Sequence, residues 1–177
     1  GFQLLSLNDF PGQGYAPVGL LDPFWDSKGL VTPEKFRESC APTVALLRYT
    51  QSSYFNNETF TGNAEVYNFS NGPIKNARIR WWVINTNGKT VKKGILKTQS
   101  IGNDGVFPVG AFSFDLKEFE AAQRLTVYVS VNGQVQNSWN IWVFPKNETI
   151  LQSTGDVLYT TTYDDKAKQF LSQGKKV

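Results

Sequence analysis

The segment from residue 125 to residue 144 constrains the fold more than any other part of the chain. Its first half alternates apolar residues with polar or amphipathic ones, and the apolar positions are Leu125, Val127, Val129 and Val131. This period of two, with β-branched residues on one side, predicts a strand with one buried face. Asn132-Gly133 follows, a pair that adopts two positive φ angles at low cost. We therefore predict a two-residue hairpin turn at this point.

The return strand of this hairpin shows the same alternation. One face carries Val135, Trp139, Ile141 and Val143, and the other carries Trp142 and Phe144. A two-stranded hairpin is marginally stable in water, so this one must pack against more sheet. Two upstream segments, 76–85 and 90–98, have strand character and are separated by a second Asn-Gly pair. A β-sandwich is the simplest structure that buries all of these apolar faces.

Further strand-like segments with turn residues between them complete this prediction. They cover residues 44–49, 53–55, 60–69 and 111–116, whereas residues 101–108 are expected to form a loop and Gly94 a bulge. We predict a mainly β protein, with an immunoglobulin- or fibronectin-like antiparallel sandwich over residues 43–146. Trp81 occupies a plausible position for the core tryptophan of such folds. The disulfide that accompanies it in antibodies cannot form, because Cys40 is the only cysteine.

The segments on either side of the predicted sandwich have a different pattern. Residues 1–7 predict a short strand, and Thr32 and Pro33 predict the N-cap and first residue of a short helix. Near the other end, residues 156–161 predict a strand, 164–172 a helix, and Gly174 its C-terminal cap. We interpret 1–42 as the remnant of a preceding domain and 147–177 as the truncated start of an α/β domain. The absence of methionine, even at position 1, leads us to expect a chain cut from a longer one.

Composition excludes several classes of function. The chain has no histidine, which removes Ser-His and Cys-His catalysis and the most common metal ligand. The sequence therefore predicts no metal and no cofactor. The formal charge of +3 comes from basic residues that form no long run, so we expect no nucleic-acid partner. No stretch is long and apolar enough to predict a membrane-spanning helix, so we expect no membrane partner.

The first 48 residues resemble glycoside hydrolase family 2 enzymes, in particular β-galactosidase-like members of Bacteroides type. The matching residues are GFQLLSLNDFPGQG and VGLLDPFWDSKGLVTPEKFRESCAPTV. The resemblance implies the last strand of a catalytic barrel, followed by an immunoglobulin-like sandwich. It also implies a parent enzyme that hydrolyses β-glycosidic bonds, expected to be β-galactosides, with two glutamates upstream of this chain. The chain would then be a non-catalytic accessory fragment. Its partners would be the missing barrel and downstream domain, in the periplasm or outside a bacterial cell.

Two polar residues near the start are candidates for substrate binding in such a parent. Asn8 and Asp9 would lie at the carboxyl end of the last barrel strand, where barrel enzymes hold substrate. Alternatively, Asp9 caps its own loop before Pro-Gly. The neighbouring acids Asp22 with Asp26, and Asp164 with Asp165, are explained better by capping than by the paired carboxylates of a glycosidase.

Three aromatic residues are predicted on the outer face of the sandwich. Trp82, Tyr128 and Trp142 have the parity opposite to the predicted core residues, and Arg80 lies beside Trp82, with Arg78 close by. Exposed aromatic rings can stack on sugars, which favours a carbohydrate-binding module with an oligo- or polysaccharide partner. The other interpretation is that these rings pack against a neighbouring domain. The sequence leaves both interpretations open.

Overall fold

The structure is a computed structural model, which describes residues 4–12, 17–146 and 155–177. It divides into two compact units, Gly1–Pro145 and Lys146–Val177. In the described part of the first unit there are one helix and ten strands: α1 (Pro33–Arg37), β1 (Thr43–Arg48), β2 (Ser53–Phe55), β3 (Thr59–Asn68), β4 (Ile74–Ala77), β5 (Ile79–Ile84), β6 (Thr90–Ile95), β7 (Gln99–Ile101), β8 (Gly105–Asp115), β9 (Gln123–Val131) and β10 (Val135–Phe144).

The strands form two main sheets and a small ribbon. One sheet has the order β1-β3-β8, the other β2-β10-β9-β5-β6, and β4 pairs with β7. All pairings are antiparallel except that between β2 and β10. This arrangement confirms the predicted mainly β, antiparallel sandwich with short helical extensions.

The core lies between the two main sheets and follows the predicted parity. Leu125, Val127, Val129, Ile141 and Val143 are fully buried. A fully buried aliphatic side chain contributes about 1.5–3 kcal/mol relative to an exposed one, so this hairpin supplies a large share of the apolar core. Trp81 of β5 stacks on Phe112 of β8 with ring centroids 4.4 Å apart, which joins the two sheets and confirms its expected position.

The central hairpin has the predicted turn with one residue more than expected. Asn132 and Gly133 both have positive φ, at 54° and 74°, and the Gln134 amide donates to the Val131 carbonyl. Val131 pairs with Val135, however, so Gln134 is an additional residue between turn and strand. The Asn132 side chain accepts a hydrogen bond from the Arg78 amide at 2.8 Å, which attaches the turn to the start of β5.

The predicted bulge at Gly94 is wrong. Gly94 pairs directly with Trp81. The register shift between β5 and β6 lies nearer the start of β6, since Val83 faces Lys92 but Ile84 faces Thr90. A Cβ at Gly94 would lie 2.6 Å from Nε1 of Trp81. Glycine is therefore required here because the indole packs over the backbone of β6, not because the strand bulges.

The predicted loop at residues 101–108 is also wrong in part. β7 ends at Ile101, and β8 begins at Gly105 and runs through Pro108. Proline is tolerated because β8 is an edge strand and Pro108 lies at the irregularity between Ala64 and Glu65, where no regular ladder bond is required.

The predicted strand at residues 1–7 is not formed in its described part, 4–7. Instead, the Leu7 carbonyl accepts hydrogen bonds from the amides of Leu20 and Leu21, and Asn8 makes a single parallel bridge with Leu21. The polar loop therefore folds back on itself and is not paired with a sheet strand. The predicted helix cap at Thr32 is confirmed, since its hydroxyl accepts a hydrogen bond from the Lys35 amide at 3.2 Å.

The second unit contains the helix α2 (Asp165–Ser172), within the predicted bounds. Asp164 caps its start, and Gly174, with φ of 75°, ends it through the bonds Gly174 N–H to Leu171 and Lys175 N–H to Phe170. The strand predicted at 156–161 is reduced to a parallel bridge between Val157 and Lys176. That this unit begins an α/β domain stays a prediction.

Candidate binding face on the five-stranded sheet

Strand register brings two cations and two aromatic rings together on the outer face of the five-stranded sheet. Trp82 of β5 lies opposite Tyr128 of β9 on one side and Lys93 of β6 on the other. Arg80 lies two residues before Trp82, on the same face, and is opposite Ile95. The alternation of β5 directs Ile79 and Val83 into the core, so Arg80 and Trp82 must face outward.

The rings of Trp82 and Tyr128 are stacked face to face. Their centroids are 5.0 Å apart and their planes differ by 2°. Because each ring covers one face of the other, the two rings cannot lie side by side as one flat surface for a ligand. The second face of Trp82 is turned toward β6. The second face of Tyr128 is turned toward β10, where α1 lies: Lys35 Nζ donates to Ser138 Oγ at 2.8 Å, and Ser138 is opposite Tyr128.

An open groove of about 650 Å³ follows β5 and β6 on this side of Trp82. Its lining consists of Arg80, Trp81, Trp82, Thr90, Lys93, Gly94 and Ile95. Tyr128 does not line it, and the indole of Trp81 packs on Phe112 between the two sheets, so the aromatic face available on the outer side is that of Trp82. Ile95 is 71% exposed and adds an aliphatic contact beside the two cations.

The charge of this sheet is of one sign. Its five strands contain Arg80, Lys92, Lys93 and Arg124 but neither aspartate nor glutamate. Lys92 pairs with Glu118 at 3.2 Å, whereas among the described residues no ion pair involves Arg80, Lys93 or Arg124.

A sequence signal for this charge existed and was missed. Residues 66–103 contain seven lysines and arginines and no acid, although the whole chain has 15 acids. Consecutive cations are one to nine positions apart, and no more than two of them are adjacent, so they form no long run. The pairing of β5 with β6 nevertheless brings two of them, Arg80 and Lys93, to one face, and the length of chain without an acid is the signal that could have indicated it.

Trp142, the third predicted aromatic, is not part of this group. It is opposite Arg124, whereas Tyr128 is opposite Ser138, so four residues along β9 separate the two positions. At about 3.4 Å per residue this is roughly 13 Å. Trp142 instead lies near Phe144 and Phe55, which are opposite each other at the β2 edge and are also exposed.

Asn8 and Asp9 lie in the N-terminal segment and have different surroundings. Asn8 is half-buried, and its side chain donates to the Asp9 carbonyl at 3.2 Å. The Asp9 carboxylate is fully buried, accepts from the Gly19 amide at 2.8 Å and pairs with Lys28 Nζ at 2.9 Å. These contacts join the loop to residue 28, which favours the capping interpretation of Asp9. Sequence reasoning did not identify Lys28, because nothing local relates two residues 19 positions apart.

The remaining carboxylates have local structural contacts. Asp22 accepts from the amides of Phe24 and Asp26, and Asp164 caps α2. The bond from the Ala167 amide lowers the pKa of Asp164. Among the described residues no group of three or more His, Cys, Asp or Glu side chains is arranged to hold a metal ion. Within the same residues, no helix has the length and hydropathy needed to cross a bilayer.

One family model matches the chain, over residues 58–145, and it describes a domain of unknown function, DUF8488. No curated protein matches the sequence. The matched region begins just before β3 and ends after β10. It therefore contains Arg80, Trp82, Lys93 and Tyr128 but not α1, β1 or β2.

Several solved structures are distantly similar. One is the alkylpurine DNA glycosylase AlkC of Pseudomonas fluorescens bound to DNA containing an abasic site analogue, with a TM-score of 0.47 and 17% identity. The similarity covers 59% of this chain and 31% of that one. A CARDB domain from Pyrococcus furiosus in complex with di-metal ions has a TM-score of 0.45 and 10% identity, with 59% and 94% covered.

A β-glucosidase from Listeria innocua is similar at a TM-score of 0.41 and 12% identity. This match covers 58% of the present chain but 16% of the glucosidase. At these identities and TM-scores, none of the three similarities indicates a function for this chain.

Proposed function

We propose that this protein is a non-catalytic accessory β-sandwich of a glycoside hydrolase, and that its N-terminal segment packs against the catalytic domain. The observation that carries this proposal is the exposure of large apolar side chains in residues 4–12 and 17–30. Leu5, Phe24, Trp25 and Leu30 are 82%, 83%, 62% and 66% exposed. Such a concentration of exposed apolar surface is typical of a protein interface.

The position of this apolar segment is fixed by polar contacts. The Lys28–Asp9 pair closes the loop from within, with Lys28 Nζ also donating to the Gly19 carbonyl at 3.0 Å. After it, α1 is attached to β10 through Lys35 and Glu38, which both contact Ser138. The segment therefore presents its apolar side chains in a defined arrangement, as a surface that receives another domain requires. The resemblance of residues 1–48 to family 2 enzymes supports a catalytic barrel acting on β-glycosides as that domain, with β-galactosides as the expected substrates.

The test asks whether a catalytic barrel is encoded before this chain. The coding sequence on the 5′ side of the Gly1 codon is read, and the longer protein is expressed beside the present chain. We expect hydrolysis of a chromogenic β-galactoside by the longer protein and none by the present chain. We also expect slower amide exchange around Leu5 and Phe24 in the longer protein. An upstream sequence without a barrel, or unchanged exchange at these residues, would contradict the proposal.

A second function, binding of glycans, is favoured by one specific observation. The free face of Trp82 lines an open groove beside Arg80, and sugars are commonly bound by stacking of their apolar ring face on an aromatic side chain. The proposed site consists of Trp82 and Arg80, supported from behind by Tyr128. Trp142 lies too far away to contact the same short oligosaccharide.

Affinity electrophoresis and titration calorimetry with soluble glycans test this second function. We expect binding that Trp82→Ala abolishes and Trp142→Ala leaves unchanged, because only the first ring lines the groove. Loss of binding in Trp142→Ala alone would move the site to the β2 edge of the sheet. No binding to any glycan would refute the function and leave the accessory role intact.

A further inference from the structure

We propose that the groove between β5 and β6 binds an acidic oligosaccharide, with one sugar ring on Trp82 and its carboxylates at Arg80 and Lys93. The inference rests on the glycan binding proposed above and adds the charge of the ligand. It concerns this groove alone and not the interface around residues 4–30.

The positive charge of the groove is the first reason for this proposal. Arg80 and Lys93 both line the groove, and neither forms an ion pair with a described residue. Two other cations of the sandwich do pair with acids: Arg48 with Glu65 at 2.7 Å and Lys92 with Glu118 at 3.2 Å. A bound anion would supply the charge that the groove lacks.

The positions of Arg80 and Lys93 relative to Trp82 are the second reason. Lys93 lies directly opposite Trp82, and Arg80 lies two residues before Trp82 on the same strand. Arg80 and Lys93 are therefore diagonal neighbours across the strand pair, about 7–8 Å apart at Cα. Trp82 is a neighbour of both on the same face, next to Arg80 along β5 and opposite Lys93 across the strands. A ligand stacked on the indole would reach both cations, and the planar guanidinium of Arg80 can bind a carboxylate through two hydrogen bonds.

The combination of apolar and charged side chains in the groove is the third reason. Trp82 and Ile95 offer apolar surface, and Arg80 and Lys93 offer positive charge, all within a groove of about 650 Å³. A pyranose with a carboxylate has both features in one unit, since its C–H groups form an apolar face and its acid group projects from the ring edge. Uronic acid oligosaccharides are therefore the ligand class that fits.

A single-stranded nucleic acid fits this groove less well. Proteins that bind such strands combine a basic groove with several aromatic side chains on which successive bases stack. Here Tyr128 is covered by Trp82 and does not line the groove, and Trp142 lies four residues away along the sheet. Only one aromatic face is available in the groove, which suits one ring and not a series of bases.

The experiment compares one sugar backbone in charged and neutral form. Tetragalacturonate and its fully methyl-esterified counterpart are titrated into the intact chain at low salt, and chemical-shift changes and affinity are measured. Mannuronate, guluronate and hyaluronate oligomers, a neutral galacto-oligosaccharide and a 15-nucleotide oligo(dT) complete the panel. We expect at least one acidic oligomer to bind, at least tenfold more weakly as its ester. We also expect its affinity to fall as salt is raised.

Variants locate the binding in the groove. Arg80→Gln and Lys93→Gln should each weaken binding of the acidic oligomer about three- to tenfold. Both side chains project from the sheet surface, and an unchanged melting temperature would verify that each variant folds. Arg124→Gln is the matched control, because Arg124 is a cation of the same sheet but lies beside Trp142, outside the groove. We expect it to bind like the unaltered chain.

The outcomes separate the two proposals. Equal binding of acid and ester that is lost in Trp82→Ala would overturn the charge inference and keep glycan binding. The same conclusion holds if only the neutral oligosaccharide binds. Binding lost equally in Arg124→Gln and Arg80→Gln would overturn the assignment to this groove. No glycan binding at all would overturn both proposals, and binding of oligo(dT) alone would assign the face to nucleic acid.

Discussion

The outer faces of the two main sheets differ in whether their charged side chains have partners on the same face. On the three-stranded sheet Arg48 pairs with Glu65 at 2.7 Å, and Asp115 accepts a hydrogen bond from Thr59 across β3 and β8. On the five-stranded sheet the outward cations Arg80, Lys93 and Arg124 have no acidic partner among the described residues. The charged side chains of the first face contact partners within that face, whereas the second face has cations and an aromatic ring that are available to a ligand. Four sets of substitutions test this difference.

The largest effect is expected for Asn68→Asp at the end of β3. The fully buried Asn68 side chain donates to the carbonyls of Gly72 and Gly102 and accepts from Ser70 and Thr43. A carboxylate cannot donate and would be buried without a cation, so we expect a loss of about 3 kcal/mol in unfolding free energy. Chemical denaturation measures it. A smaller loss at low pH would identify the buried charge as the cause. An unchanged free energy of unfolding would contradict the role given to the hydrogen bonds of Asn68.

The next effect is expected for Gly94→Val in the five-stranded sheet. A Cβ here would lie within 2.6–2.8 Å of the Trp81 indole, which is packed on Phe112 and cannot easily move. We expect a loss of about 2 kcal/mol from overpacking, with a changed tryptophan fluorescence. Gly72→Ala is the control, because nothing lies within 4 Å of the added atom. Equal stability of the two variants would contradict the proposed role of Gly94.

A smaller effect is expected for the outward aromatic pair. Trp82→Ala and Tyr128→Ala each remove a stack at 5.0 Å, and a double-mutant cycle should give a coupling of about 0.5–1.5 kcal/mol. The cycle is measured by thermal unfolding. We further expect Tyr128→Ala to weaken glycan binding less than Trp82→Ala, because Tyr128 supports the ring but does not line the groove. A coupling near zero would mean that the two rings are independent in solution.

The smallest effect on stability is expected for two exposed arginines, one on each sheet. The hydrogen bond and charge of Glu65 raise the pKa of Arg48, but the Arg48 side chain is 71% exposed, and ion pairs of exposed side chains contribute little. We expect no measurable change in Tm for Arg48→Gln or for Arg80→Gln. Only Arg80→Gln should change the affinity for an acidic glycan. A clear fall in Tm for Arg80→Gln would indicate that this side chain has a structural role instead.

The sequence by itself determined the strands, turns and helix caps whose causes are local. Alternation in β9 and β10, positive φ at Asn132-Gly133 and the caps at Thr32 and Gly174 each depend on a few neighbouring residues, and each is present in the structure. Pro108 and Gly94 were misread because the meaning of these residues depends on the neighbouring strand. At Pro108 that neighbour creates an irregularity, and at Gly94 it supplies an indole.

Only the tertiary structure decided which of the predicted surface residues act together. Sequence parity placed Trp82, Tyr128 and Trp142 on one face, but register separated Trp142 from the other two. Stacking then covered one side of Trp82 and left the other for the groove with Arg80. Parity reports the face of a sheet on which a side chain lies. Its neighbours across the strands are fixed by hydrogen-bond register between segments that are far apart in the chain.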